Sequence, residues 1–86
     1  MKYLTITFKS RNELYGFSKM LRSNGIYINI VNTPKAIGSS CLLSIKVDFL
    51  SLNKVINLLK LFNPKSFVGL YSTIETLNGN QTHRII

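Results

Sequence analysis

The sequence predicts an α+β domain of ferredoxin-like order, βαββαβ, with two helices on one face of a four-stranded antiparallel sheet. Four short segments alternate apolar and polar residues with the period of a strand. Two longer segments between them carry apolar residues at spacings of three and four, the stripe of an amphipathic helix. The chain has 86 residues, 45% hydrophobic and 16% charged, so it has room for one core and enough apolar surface to fill it.

The first strand is Tyr3 to Phe8, with Leu4, Ile6 and Phe8 on one face and Tyr3, Thr5 and Thr7 on the other. Ser10 and Glu13 then form the pattern of a capping box. The Ser10 hydroxyl accepts from the amide of Glu13, and the Glu13 carboxylate reaches back to the amide of Ser10. Leu14, Phe17 and Leu21 make the helical stripe, and Gly25 is placed to end the helix in a left-handed conformation. In the second strand Ile26, Ile28 and Ile30 alternate with Tyr27, Asn29 and Val31, and the strand stops at Thr33-Pro34 because proline cannot donate to a ladder.

A loop follows from Thr33 to Ser40, and Leu43, Ile45 and Val47 then alternate with Leu42, Ser44 and Lys46 as a third strand. Ser51 reads as the cap of a second helix whose stripe is Leu52, Val55, Ile56, Leu59 and Phe62, ending before Asn63-Pro64. The last strand is Phe67 to Tyr71, with Val68 and Leu70 toward the core. Residues 1–71 are therefore the ferredoxin-like domain. Residues 72–86, polar and containing Asn78-Gly79, read as a C-terminal tail or a short added turn. The sheet face opposite the helices is left open. It is expected to carry Tyr3, Thr5 and Thr7, then Tyr27, Asn29 and Val31, then Leu42, Ser44 and Lys46, and finally Phe67, Gly69 and Tyr71.

Eleven Lys and Arg stand against the three acids Glu13, Asp48 and Glu75, a formal net charge of +8. Such a balance favours acidic partners. The basic residues are spread singly, however, and read first as a solvated surface short of acids. One cysteine cannot form an internal disulfide, and Lys2 leads into an alternating strand rather than the apolar run of a signal peptide, so a reducing cytoplasm is the expected location. No apolar run approaches the roughly 20 residues needed to cross a bilayer.

Few residues can carry chemistry. His83 is the single histidine and falls in the expected tail, so pairing it with a nucleophile requires that tail to fold back. Three separated acids give no carboxylate pair for general acid and base work. One Cys and one tail His do not make a tetrahedral zinc site. Neither a phosphate-binding P-loop nor a dinucleotide fingerprint is present. No metal or other cofactor is called for, and the chain reads as a carrier or binding module rather than an enzyme. Cys41 stands apart, because it follows Gly38-Ser39-Ser40 where a loop meets a strand. Backbone amides in such a turn, with Lys35 in the same loop, favour a thiolate if they are aimed at the sulfur. The ordinary reading of an unpaired Cys is a small buried hydrophobe.

The opening strand Tyr3-Leu4-Thr5-Ile6-Thr7-Phe8-Lys9-Ser10, the Gly25-Ile26 turn and above all Thr33-Pro34-Lys35-Ala36-Ile37-Gly38-Ser39-Ser40-Cys41 carry a resemblance. From Tyr3 to Tyr71 the chain resembles the small bacterial proteins grouped as selenium or sulfur carrier protein-like, also catalogued as a domain of unknown function. Members look like Thr-Pro-basic-x-Ile, small residues, then Ser-Cys-Gly; here Leu42 stands in place of the glycine. A glycine leaves the backbone around the sulfur open, and Leu42 adds bulk there.

The resemblance implies that Cys41 accepts sulfur as a persulfide, or selenium as a selenopersulfide, and passes it on. It also implies supporting roles: Pro34, Ile37 and Gly38 shape the loop, Lys35 favours the anion, and Ser39 and Ser40 donate to it. The implied partner is a cysteine desulfurase or another sulfur- or selenium-handling enzyme. The alternative is a non-catalytic interaction or dimerisation module. In it Val31, Leu42, Phe67 and Tyr71 form an apolar patch for a second copy. Single-stranded RNA binding ranks behind both, because the outward residues of the first and third strands are mostly small or aliphatic where RNA readers place aromatics.

Overall fold

The computed structural model describes residues 1–37 and 43–86. In chain order the elements are β1 (Lys2–Phe8), α1 (Arg11–Ser23), β2 (Ile28–Asn32), β3 (Leu43–Asp48), α2 (Leu52–Phe62), β4 (Phe67–Thr76) and β5 (Gly79–Arg84). Short 3-10 turns at Lys35–Ile37 and Phe49–Ser51 precede β3 and α2. The strands form one sheet in the order β2-β3-β1-β4-β5, and every neighbouring pair is antiparallel. Among the described residues the fold is thus α+β, with two helices and five strands rather than the four expected.

The additional strand comes from the segment read as a tail. β4 continues past Tyr71 to Thr76, and Gly79–Arg84 returns beside it with Tyr71 opposite Arg84 and Thr73 opposite Thr82. Gly79, at φ +115°, makes the turn, a conformation in which a side chain is strained. The sequence hides this strand because neither of its faces is apolar, so no period-2 pattern marks it.

The core lies between the sheet and the helices. Leu4, Ile6 and Phe8 of β1, Leu14, Phe17 and Leu21 of α1, Ile45 and Val47 of β3, and Val55 and Leu59 of α2 are all buried there, as the stripes predict. Leu58 is buried too, widening the α2 stripe beyond its expected members. Phe67, Phe8, Phe17 and Phe62 form a chain of ring contacts with centroids 5.9, 5.7 and 5.4 Å apart, joining β4, β1, α1 and α2. Phe67 was expected on the open face. A register shift between Thr7 and Phe8 places it beside Phe8 on the core side instead.

The helix ends follow their residues with two exceptions. Ser10 accepts from the Glu13 amide at 3.3 Å, one half of the capping box. The other half is absent, because the Ser10 amide donates to Ser66 Oγ at 3.1 Å. The C-terminus of α1 closes with the Gly25 amide on the Arg22 carbonyl and the Ile26 amide on the Leu21 carbonyl, both at 3.0 Å. Gly25 has φ +75°, the paired-bond ending that glycine favours. Ser51 makes no side-chain cap bond. Asp48 takes that role one turn earlier, its Oδ1 accepting from the Leu50 amide at 2.9 Å, so that a 3-10 turn leads straight into α2. Asn63, left-handed at φ 49°, ends α2 before Pro64.

Candidate functional site

The loop between β2 and β3 is positioned by the register of those strands. Asn32 lies opposite Leu43 and Val31 opposite Ser44, so the segment 33–42 leaves and rejoins the sheet on neighbouring strands. A side-chain brace joins its two ends: Thr33 Oγ1 and Ser44 Oγ share a hydrogen bond of 2.7 Å. Ser44 is fully buried on β3, and beside it Thr7 donates to the Gly69 carbonyl at 3.1 Å. The Thr33–Ser44 bond therefore ties the loop to β3, and the Thr7–Gly69 bond joins β1 to β4 beside it. Such bonds hold best where water does not compete for them.

Within the loop, Lys35–Ile37 form a single 3-10 turn closed by the Ile37 amide on the Pro34 carbonyl at 3.1 Å. Proline fixes its own φ and so sets the start of this turn. Lys35 is exposed while Pro34 and Ile37 are half-buried. Gly38, Ser39, Ser40 and Cys41, the remaining residues expected at the site, lie outside the described residues, as does Leu42.

The same end of the sheet carries a feature that the capping-box reading missed. Glu13, half-buried at the start of α1, accepts from the Lys65 amide at 2.9 Å, from the Ser66 amide at 2.6 Å and from the Ser66 hydroxyl. The Ser66 hydroxyl comes first among the causes that hold the Glu13 carboxyl below its ordinary value, followed by the two backbone donors. Glu13 thus clasps the α2–β4 connection to the head of α1.

His83 is exposed on β5, the edge strand opposite β2, and both β1 and β4 stand between it and β3. Folding back of the expected tail has taken place, but onto β4. Among the described residues no group of three or more His, Cys, Asp or Glu side chains could hold a metal ion. Among the same residues, no helix is long and apolar enough to cross a membrane.

The open face differs from a bare sheet. Thr5, Thr7, Ser44 and Thr73 are at most 2% exposed although no helix covers them. On the same face, long side chains pair with aromatic rings. The Lys46 ammonium stands 4.2 Å above the Tyr3 ring, and the Arg84 guanidinium 5.9 Å from the Tyr71 ring. Tyr71 itself lies over Gly69, where an added Cβ would fall 2.8 Å from the ring. With Phe67 turned inward, the apolar patch expected for a second copy loses one of its members.

Residues 3–65 match the family described as Putative Se/S carrier protein-like. The match takes in β1 through α2 and the whole of the 33–42 loop, and it ends just before β4. The chain belongs to this family. No curated protein matches it.

Proposed function

We propose that this Se/S carrier-like protein carries sulfur or selenium on Cys41, as a persulfide or a selenopersulfide. One observation supports the reading above others: Cys41 is the single cysteine of the sequence, and it falls within the segment matched by the family. Loading needs one nucleophile and no resident acid or base. The Cys41 thiolate attacks the terminal sulfur of a donor persulfide and forms a new S–S bond. The donor's own S–S bond breaks, and its sulfur leaves as a thiolate that takes up a proton. Nothing is oxidised overall, because one sulfane sulfur changes hosts. Selenium follows the same course through a donor S–Se bond.

The loop's frame fits this work. Pro34 and Ile37 set the turn, and the Thr33–Ser44 brace joins the two ends of the loop. Lys35 adds exposed positive charge in the same loop, and the family resemblance gives Gly38 a part in shaping the loop and Ser39 and Ser40 the role of donors to the anion. The donor partner is a cysteine desulfurase or a similar sulfur-handling enzyme, and a reducing cytoplasm keeps the thiol free. The strand order 2-3-1-4 with the helices after β1 and β3 supports reading residues up to Tyr71 as a ferredoxin-like unit.

Intact-mass spectrometry after incubation with a cysteine desulfurase and cysteine tests the carrier role. A gain of one sulfur mass is expected on the wild type, reversed by a thiol reductant and missing from Cys41→Ser. No gain, together with failure of Cys41 to react with an alkylating reagent in the folded protein, makes the thiol core packing. That result transfers the family's loop to an interaction role.

A further inference from the structure

One row of the open face crosses all five strands. By register it runs Asn29 on β2, Lys46 on β3, Thr5 on β1, Tyr71 on β4 and Arg84 on β5. Every side chain in it is a hydrogen-bond donor, and none is an acid. Thr5 at its centre is fully buried, and its hydroxyl has no partner among the described residues, an unsatisfied group that costs free energy.

Two aromatic–cation stations stand on or beside this row, Lys46 with Tyr3 and Arg84 with Tyr71. Arg84 is held in place by bonds from Nε to the Ile86 carbonyl at 3.0 Å and from Nη2 to the Val68 carbonyl at 2.9 Å, which leaves part of its fork free. At the β2 edge the face opens into a cavity of about 530 Å³ lined by Tyr3, Tyr27, Asn29 and Lys46 among others, and Tyr27 is 81% exposed. The acids on this face are Asp48, whose Oδ1 caps the Leu50 amide, and Glu75 near the β4–β5 turn.

We propose that this face binds a short single strand of nucleic acid, running across the strands from the Tyr3–Lys46 station to the Tyr71–Arg84 station. Charge complementarity selects the occupant: two cations, each beside an aromatic ring, stand on a row without an acid, on a chain of net charge +8. Phosphates meet Lys46 and Arg84, bases stack on the tyrosines, and the Thr5 hydroxyl, opposite Lys46 and Tyr71 in the row, gains a partner from the bound strand. Lys46 and Arg84 sit on strands three spacings apart, about 14 Å, so a strand of several nucleotides fits and a lone mononucleotide cannot engage both. The sequence hid this because Arg84 and the strand that presents it carry no apolar pattern. The proposal does not rest on sulfur carriage at Cys41.

Fluorescence anisotropy with a labelled single-stranded RNA of mixed sequence, at about 50 mM salt and upward, provides the test. Affinity is expected to fall steeply with salt. Lys46→Glu and Arg84→Glu should each weaken binding about tenfold and reduce the salt slope by about one, with circular dichroism showing an unchanged fold. Lys46→Gln serves if the charge reversal disturbs folding, and Thr5→Val should weaken binding without lowering stability. Lys60→Glu on α2 is the control for general basic attraction and should leave affinity within about twofold.

Absence of binding at low salt overturns the proposal. So does equal weakening by Lys60→Glu, which makes the attraction nonspecific. Full competition by a mononucleotide reduces the face to a single-nucleotide site and also overturns it. A dimer in sedimentation that Lys46→Glu dissociates, with no RNA bound, assigns the face to a second copy.

Discussion

Glu13 shows how far local sequence reaches at the scale of a residue. Its spacing from Ser10 announces a helix start, and Ser10 does cap α1. The carboxylate, though, faces Lys65 and Ser66, more than fifty positions away, and no local pattern encodes that meeting. Because Glu13 is held below its ordinary value, the clasp contributes stability above the usual carboxylate range and loses it as pH falls through the lowered folded value. Glu13→Gln should therefore unfold at lower urea concentration than wild type near neutral pH. The two midpoints should converge in acid, where the wild-type carboxylate is itself protonated. Midpoints that differ equally at every pH would mean that packing, and not the charge, carries the effect.

At the scale of elements, what was legible is what buries an apolar face. β1, α1, β3 and α2 carry their core residues at the expected spacings, and Gly25 ends α1 as a glycine at that point should. Gly25→Ala keeps the fold open to a Cβ in space, since nothing lies within 4 Å, yet places it at φ +75°. The left-handed conformation costs a non-glycine residue about 1 kcal/mol, so thermal unfolding should begin roughly 4–8 °C lower. An unchanged melting temperature would show that α1 ends differently in solution. Phe67 and β5 were illegible for separate reasons. A bulge inverts the face of Phe67 without any change of composition, and β5 buries too little for its period to register. The Thr33–Ser44 brace of the candidate loop likewise depends on the β2–β3 register, which pairs residues that look unrelated in the chain.

At the scale of the whole molecule, the candidate loop and β5 are attached to separate parts of one sheet. The loop hangs on β2 and β3, whereas β5 touches β4 at the other edge. The cluster of buried hydrophobic side chains ends with Leu70, and Ile85, just after β5, joins it only at its margin. A chain ending at Thr76 should therefore still fold around the same core. It becomes less stable because β4 becomes an edge, and the Thr73–Thr82 bond and the Arg84–Tyr71 contact are lost. Loading of sulfur on Cys41 should persist in this truncated form, since both strands that anchor the loop are intact. RNA affinity should fall at least as far as in Arg84→Glu, because one of the two stations has gone. Parallel loss of loading and of RNA affinity in a chain that keeps its circular dichroism spectrum would show that β5 supports the loop through the sheet. Independent loss would separate a carrier loop from a binding face within one small domain, each open to change without the other.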